Sequence, residues 1–448
     1  MNTYSSYKDS GIEWIGEIPS GWRIEKLKYI GNLYGGLTGK SGKDFNNEDN
    51  PYNKPFIPFT NIFNNVYISS NHFQYVNIKP DERQNRVIKN DLFFLMSSEG
   101  YEDLGKSSIL ISEIDELYLN SFCKGYRVNT DDVNPLFVNY QLLGNTHRKL
   151  ISIEGKGFTR INLRQDKLKN TYMFIPPLQE QQQIVDYLDK KTSKIDKLIE
   201  KTEQKIELLK EQRTSLINTT VTKGLDPNVE MKDSGVEWIG DIPSDWKVKK
   251  LTYVTNSIGS GTTPKTSNSL FYEEGHIPWL NTGDLNDGYI YKTKKKVTKL
   301  AIEKHTSLKV FPINSVSIAM YGATIGKLGL FKIPVTVNQA NCVFVFDEVN
   351  VSKFWFYVLM EYRPQIVSLG YGGGQPNISQ DLLKSLRFGC PSYKNQQQIV
   401  DYLDKETSKI DKLVDIESKR IVLLKEYRQS LISEVVTGKV DVRDEVLL

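Results

Sequence analysis

Residues 181–198 read QQQIVDYLDKKTSKIDKL, and residues 396–413 read QQQIVDYLDKETSKIDKL, so the two stretches differ only at Lys191 and Glu406. The first lies within a segment, about 178–218, that can be written as one amphipathic helix. Pro176-Pro177 suits its start, because proline is tolerated in the first helical turn; Gly224 and Pro227 suit its stop. Heptad positions fill throughout. Val185, Thr192, Ile199, Ile206 and Arg213 fall at a; Leu188, Ile195, Thr202, Leu209 and Leu216 fall at d. The second copy places Val400, Thr407, Val414, Ile421 and Arg428 at a, with Leu403, Ile410, Glu417, Leu424 and Leu431 at d. Each helix of about 40 residues should be roughly 60 Å long at 1.5 Å per residue. Neither seam is fully apolar, so each needs a partner, and the obvious partner is the other copy. The expected pairing layer is Leu188, Ile195, Ile199, Ile206 and Leu209 against Leu403, Ile410, Val414, Ile421 and Leu424. In an antiparallel pair the polar d residues Thr202 and Glu417 would sit close together, a layer that fixes register at some cost in stability.

A second repeat lies outside the helices. KDSGIEWIGEIPSGWRIEKLKYI (8–30) returns as KDSGVEWIGDIPSDWKVKKLTYV (232–254), with 15 of 23 positions identical. Its tryptophans, Trp14, Trp22, Trp238 and Trp246, are expected to fill cores. Between the repeats lie two segments that have drifted apart. Both are rich in Tyr, Phe, Asn and Gly, with short apolar runs such as Leu92–Met96, Ser108–Ile111, Ser315–Met320 and Asn341–Phe346, punctuated by turn residues. Each reads as a mixed α/β domain. Faint matches link them: Phe56–Asn61 with His276–Asn281, Gly105-Lys106 with Gly326-Lys327, and Gly157–Asp166 with Gly372–Asp381. The two domains should share a fold and differ in their loops.

Composition bounds the function. The 448 residues are 39% hydrophobic and 25% charged, with a net charge of +4, as in an ordinary soluble globular protein. No apolar run is long enough to span a bilayer, and the first residues lack the pattern of an export signal. Cys123, Cys342 and Cys390 are scattered, which fits neither a disulfide framework nor a zinc site and suits a reducing cytoplasm. The four histidines have no metal-binding spacing. Residues 1–177 carry 21 basic against 20 acidic side chains and 228–391 carry 18 against 14, so any nucleic-acid contact must be local.

Candidate contacts follow from loop chemistry. Lys292–Lys299 is dense enough in lysine to hold phosphates. Base reading needs paired donors and acceptors, such as Arg, Asn or Gln, on elements that enter a groove; the loops 155–165 and 370–380 supply them beside glycines. The candidate DNA-contact residues are Lys40, Lys43, Lys106, Arg160 and Asn162 in the first half. In the second they are Thr262, Thr263, Lys265, Lys294, Lys295, Lys296, Lys327, Gln375 and Asn377. Because Asn162/Asn377 and Gln165/Gln380 are common to both halves, they suit loop structure or phosphate better than specificity. Specificity is expected where the halves differ: 37–47, 60–66, 97–104, 262–269, 282–288 and 320–325.

Gly100–Ser107 also satisfies G-x4-G-K-[ST], the phosphate-cradling pattern. Glu102 and Asp103 would set two negative charges where a triphosphate sits, and Gly322–Leu328 breaks the spacing. A P-loop ATPase is therefore the enzymatic rival reading, and a coiled-coil adaptor that binds only protein is the other. Asn134-Pro135-Leu136-Phe137 lacks the second proline of an adenine methyltransferase loop and reads as a helix or turn start.

The motifs DSGIEWIGEIPSGW (9–22) with its repeat at 233–246, GSGTTPKTSNSLFYEEGHIPWLNTGDL (259–285), YGGGQPNIS (371–379) and IPPLQEQQQIVDYLD (175–189) together carry a family resemblance. The chain resembles the specificity subunit of type I restriction–modification systems across essentially its whole length. The first half departs at GGLTGKSGKDF (35–45) and GKGFTRINL (155–163). The resemblance implies an α+β fold with an internal pseudo-two-fold repeat. Two mixed α/β target-recognition domains (1–176 and 228–391) would be separated by two long conserved helices (177–227 and 392–448) forming an antiparallel coiled coil. It implies that each domain reads one half of a bipartite, asymmetric site in double-stranded DNA and that the helices set the spacer. Two methyltransferase subunits would dock on the frame and restriction/translocase subunits would join them. The chain itself would hold no catalytic site, metal or cofactor; S-adenosylmethionine, ATP and magnesium would belong to the partners.

Overall fold

The computed structural model describes residues 2–13, 15–45, 51–348, 350–370 and 377–445. Two compact units divide the chain: residues 1–203 with 418–448, and residues 204–417. The boundaries fall inside the two long helices, Leu178–Lys223 and Tyr393–Val436. Each unit therefore holds one variable segment and a stretch of both helices.

In the first unit, two small sheets form around apolar runs. Leu92–Leu95 is buried at every position, as a strand covered on both faces must be. It pairs antiparallel with Cys123–Val128 and Ser107–Ile109, and Gly31–Gly35 completes the order Gly31–Gly35, Cys123–Val128, Leu92–Leu95, Ser107–Ile109. In the other sheet Asn53–Ile57 lies between Tyr118–Leu119, parallel to it, and Gln74–Asn77, antiparallel.

The second unit repeats this plan. Val316–Ala319, again buried throughout, pairs with Asn341–Phe346 and Leu328–Phe331. Thr255–Gly259 flanks on one side and Gly288–Ile290 on the other. Ile277–Leu280 lies between Thr336–Val337, parallel, and Lys295–Val297, antiparallel. The matched peptides Phe56–Asn61 and His276–Asn281 thus overlap equivalent central strands. The sequence reading of one mixed α/β fold used twice is what the topology shows.

Both long helices close the cores. In the first unit Trp22 packs edge-on against Tyr4 and Phe137, beside Ile184, Val185 and Leu188 of one helix and Leu431, Ile432, Val435 and Val436 of the other. In the second, Trp246 packs edge-on against Phe354, beside Ile217, Val221, Ile399, Val400 and Leu403. Ile399, Val400 and Leu403 are the repeat equivalents of Ile184, Val185 and Leu188. Trp238 packs edge-on to Tyr362 and Phe388; Trp14 lies outside the described residues.

The heptad reading holds along both helices. Leu188, Ile195, Ile199, Ile206, Leu403 and Ile410 are buried; Leu209, Val414, Ile421 and Leu424 are half-buried. Apolar residues off the seam, such as Leu208 and Leu423, are exposed. Direction is fixed by ion pairs inside each unit. Asp196 meets Arg428 and Glu203 meets Lys425 in the first; Lys205 meets Glu417 and Arg213 meets Asp411 in the second. As numbers rise on one helix they fall on the other, so the helices run antiparallel. The polar d residues are both buried. Thr202 returns its hydroxyl to the Leu198 carbonyl at 2.7 Å, and Glu417 takes the Lys205 ammonium.

Candidate nucleic-acid interface

Equivalent loops cluster in each unit. In the first, the chain leaves Leu92–Leu95 through Ser97-Ser98, which pair with Ile161-Asn162. The Leu163 amide donates to Met96 O at 2.9 Å. The adjoining hairpin closes on Lys156 and Asn162, whose amides donate to each other's carbonyls at 3.1 and 2.9 Å. Gly157 at its bend has φ +143°, and a Cβ there would lie 1.9 Å from Arg160 O, so only glycine fits. Loops 97–104 and 155–165, distant in sequence, thus form one surface.

The turn at 100–105 is held from beneath. Arg148 Nη2 donates to Glu102 O at 2.8 Å and Leu104 O at 2.7 Å. Gly105 has φ +63° and donates to Leu95 O. Its repeat equivalent Gly326 has φ +78° and donates to Ala319 O. This excludes the phosphate-cradle reading on geometry. A P-loop needs a helix whose N-terminal amides face the anion, whereas Ser107 opens the strand Ser107–Ile109 and its side chain is buried. Lys106 pairs with Asp103 at 2.7 Å, its ammonium 4.2 Å from the Phe63 ring centroid.

The second unit brings 320–326 to the same place. Tyr321 bridges Asn377, and the Ile378 amide donates to Met320 O at 2.8 Å. Gln380 Nε2 donates to Ile258 O at 3.1 Å, a structural bond of the kind a residue shared by both halves should make. Gln375 lies outside the described residues.

The candidate side chains divide by availability. Lys43, Arg160, Asn162, Lys265, Lys294, Lys295, Lys296, Lys327 and Asn377 are exposed. Asn162 Nδ2 also donates to Arg160 O at 3.2 Å, bracing the hairpin. Lys295 and Lys296 lie on the edge strand Lys295–Val297, with Tyr291 exposed just before it. Thr262 and Thr263 are half-buried: Thr262 O accepts from Trp279 Nε1 and Thr263 Oγ1 donates to Gln339 Oε1. Lys40 is not available as it stands. Its side chain is only 5% exposed, paired with Glu82 and donating to Asn77 O. Nothing in its sequence neighbourhood marked it, because Asn77 and Glu82 arrive from a different part of the sheet.

The tryptophan repeats pointed to packing of each domain against the helices, but the polar contacts that seat the domains there were not visible in the sequence. Gln181 takes Asp132 O and Pro176 O through Nε2 while its Oε1 accepts the Asn134 amide; Gln396 takes Pro391 O and accepts the Val351 amide in the same way. Asn134 also caps the helix Pro135–Leu143, as its sequence suggested. The buried Glu180 carboxylate accepts the Trp22 indole N–H at 2.8 Å and the Tyr4 hydroxyl at 2.7 Å. Asp189 accepts the hydroxyls of Tyr67 and Tyr140. Burial, with that carboxylate beside them, holds both phenols well above their usual range. At the equivalent position Asp404 takes Lys353 and Tyr357, whose phenol burial pushes up to about 12. Burial likewise pushes the Cys123 and Cys342 thiols to about 12, which disfavours the thiolate needed for nucleophilic chemistry. Among the described residues no group of His, Cys, Asp and Glu is disposed to hold a metal ion.

Two mixed domains, each seated on a shared antiparallel helix pair and each presenting paired loops, define a duplicated recognition scaffold. A family model, the type I restriction modification DNA specificity domain, matches it twice, over residues 19–208 and 243–426. The chain therefore belongs to the specificity subunits of type I restriction–modification systems, the DNA-recognising, non-catalytic members of those systems. It is 26% identical over 379 residues to the type I restriction enzyme MjaVIII specificity subunit of Methanocaldococcus jannaschii, covering 82% of this chain and 83% of that one. Its fold matches a chain from a structural study of complex assembly and conformational transition of the type I R-M system, with a TM-score of 0.72 at 15% identity, covering 94% and 99% of the two chains. It also matches the HsdS subunit of Thermoanaerobacter tengcongensis, with a TM-score of 0.57 at 15% identity, covering 94% and 98%. No helix among the described residues is long and apolar enough to cross a membrane.

Proposed function

We propose that each unit reads one half of a bipartite, asymmetric site in double-stranded DNA, and that the antiparallel helices set the length of the unread spacer. The carrying observation is that one topology occurs twice on a common helix pair while the loops differ. Lys43, Lys106, Arg160 and Asn162 serve the first half-site. Lys265, Lys294, Lys295, Lys296, Lys327 and Asn377 serve the second, with Thr262 and Thr263 in the adjoining loop. The exposed lysines hold phosphate; base choice falls to the loops that differ. Two methyltransferase subunits dock on the solvent side of the helix pair. Leu208 and Leu423, repeat equivalents that are each 64% exposed, support one such surface in each unit. Restriction/translocase subunits join this core in the cytoplasm, and S-adenosylmethionine, ATP and magnesium belong to those partners.

Coexpression with the methyltransferase subunits, followed by genome-wide mapping of N6-methyladenine, tests this reading. The expected result is a two-part motif with different halves and a spacer of constant length. A contiguous motif, or no site-specific methylation, would overturn it.

A further inference from the structure

The hairpin at 155–163 carries a feature that phosphate contact leaves unexplained. Phe158, at its tip, is 105% exposed. Removing a phenyl ring from water is among the largest favourable changes one side chain offers, and here the chain forgoes it. Lys156 and Arg160 flank it, both exposed, and neither enters an ion pair among the described residues. The nearby charges Arg164, Lys167 and Glu154 are already committed: Arg164 to Asp166 at 2.9 Å and Lys167 to Glu154 at 2.8 Å. The tip is thus an apolar ring between two available cations.

The ring stands on a stiff base. Lys156 and Asn162 exchange two backbone hydrogen bonds, Asn162 and Ile161 pair with Ser97 and Ser98, and Leu163 is tied to Met96. A Cβ on Gly155 would lie 2.6 Å from both Ile161 and Leu104, so the hairpin packs tightly where it leaves the domain. Such a base can transmit force to the tip.

We propose that Phe158 is a wedge that inserts between neighbouring base pairs of the duplex at the first half-site, with Lys156 and Arg160 gripping the phosphates on either side. The inference rests on the DNA-recognition reading above. Apolar side chains that enter a base step partly unstack it and kink the helix, gaining contact surface in return. Flexible pyrimidine–purine steps open most readily. The repeat aligns Phe158 with Gly373, so the wedge belongs to one half only, and the DNA distortion should be one-sided.

The test uses the full chain assembled with its methyltransferase subunits and a duplex carrying the mapped site. 2-Aminopurine is placed in turn at each position of both half-sites. Apart from the adenines that the methyltransferase subunits extrude for methylation, the wild-type complex should brighten the probe at one step of the first half-site and at none of the second. Phe158→Ala should abolish that signal and weaken binding by about tenfold or more, while Phe158→Leu, which keeps a wedge, should retain most of both. Because Phe158 is exposed, the melting temperature of either variant should match wild type. A wild-type complex that binds its site but brightens no probe other than those at the methylated adenines overturns the wedge and spares the DNA reading. Phe158→Ala with unchanged affinity and signal does the same. A complex that binds no DNA site overturns both.

Discussion

Arg428 holds Asp196 through two nitrogens, Nε at 2.8 Å and Nη2 at 3.2 Å, and its repeat equivalent Arg213 holds Asp411 in the same way at 2.8 and 3.4 Å. Each arginine lies 215 residues from its twin, as does each aspartate. The same bond is therefore made once in each unit with the helices exchanging roles. A bidentate contact fixes both distance and orientation, so the pair specifies antiparallel register at two points where the heptad seam has a polar residue instead of an apolar one.

Both carboxylates are about half exposed, so each pair should contribute little to stability, about 0.5–1 kcal/mol. Arg428→Ala should lower the unfolding free energy by that amount, and the loss should shrink at high salt. Exchanging the charges, Arg428→Asp with Asp196→Arg, should recover most of it. Urea titrations of wild type, the single variants Arg428→Asp and Asp196→Arg, and the double variant measure the coupling; a zero coupling would show that the contact does not set register.

Trp22 is both a core filler and a hydrogen-bond donor. Trp22→Ala should destabilise the first unit by about 3–5 kcal/mol through the cavity it leaves. Trp22→Phe should cost about 1–3 kcal/mol more than its lost volume accounts for, because Glu180 then keeps only the Tyr4 hydroxyl. Calorimetry should show the first unit's transition moving down while the second unit's transition stays in place.

His147 gives the first unit an acid-sensitive core. Burial pushes its imidazole down to about 4, and Nε2 donates to Tyr172 O at 2.8 Å, so the folded state holds it neutral. The unfolded chain binds a proton below about pH 6.5, and the folded one only near pH 4. Stability should therefore fall with acid across that window, by up to about 3 kcal/mol. His147→Gln should be less stable at neutral pH yet flatten this pH dependence, as read by denaturant unfolding at several pH values.

Recognition should be modular. Replacing residues 31–175 with the corresponding segment of another specificity subunit should change one half of the methylated motif and leave the other intact. Altered bases in both halves, seen by methylation mapping, would contradict independent reading by the two units.

The spacer should follow the helices. Inserting four residues into one long helix adds about 6 Å, close to two base-pair steps of about 3.4 Å. The mapped spacer should lengthen accordingly. An unchanged spacer in an active complex would rule out the helices as its measure.

Much of the frame was legible before any coordinates. Helix ends at Pro176-Pro177 and Gly224, the seam from Val185 to Leu431, the core tryptophans and the shared topology all follow from local rules: capping, periodicity and repetition. The loop cluster was legible only in part. Gly105 and Gly326 stood out as matched glycines, but not that Arg148 would hold the turn beside Gly105. Lys40 looked like a phosphate contact and is instead buried against Glu82. Phe158 could have been noticed as an aromatic where the other copy has glycine; its exposure could not.

By itself, the sequence determined that one fold occurs twice, that two amphipathic helices must find each other, and which loops were free to differ. Periodicity and repetition are properties of a chain read in order, so they survive without coordinates. Tertiary structure alone decided which charges face solvent, which carboxylates anchor the domains to the helices, and which loops meet. Those depend on residues more than a hundred positions apart, Trp22 with Glu180 or Tyr67 with Asp189, whose proximity no local pattern encodes.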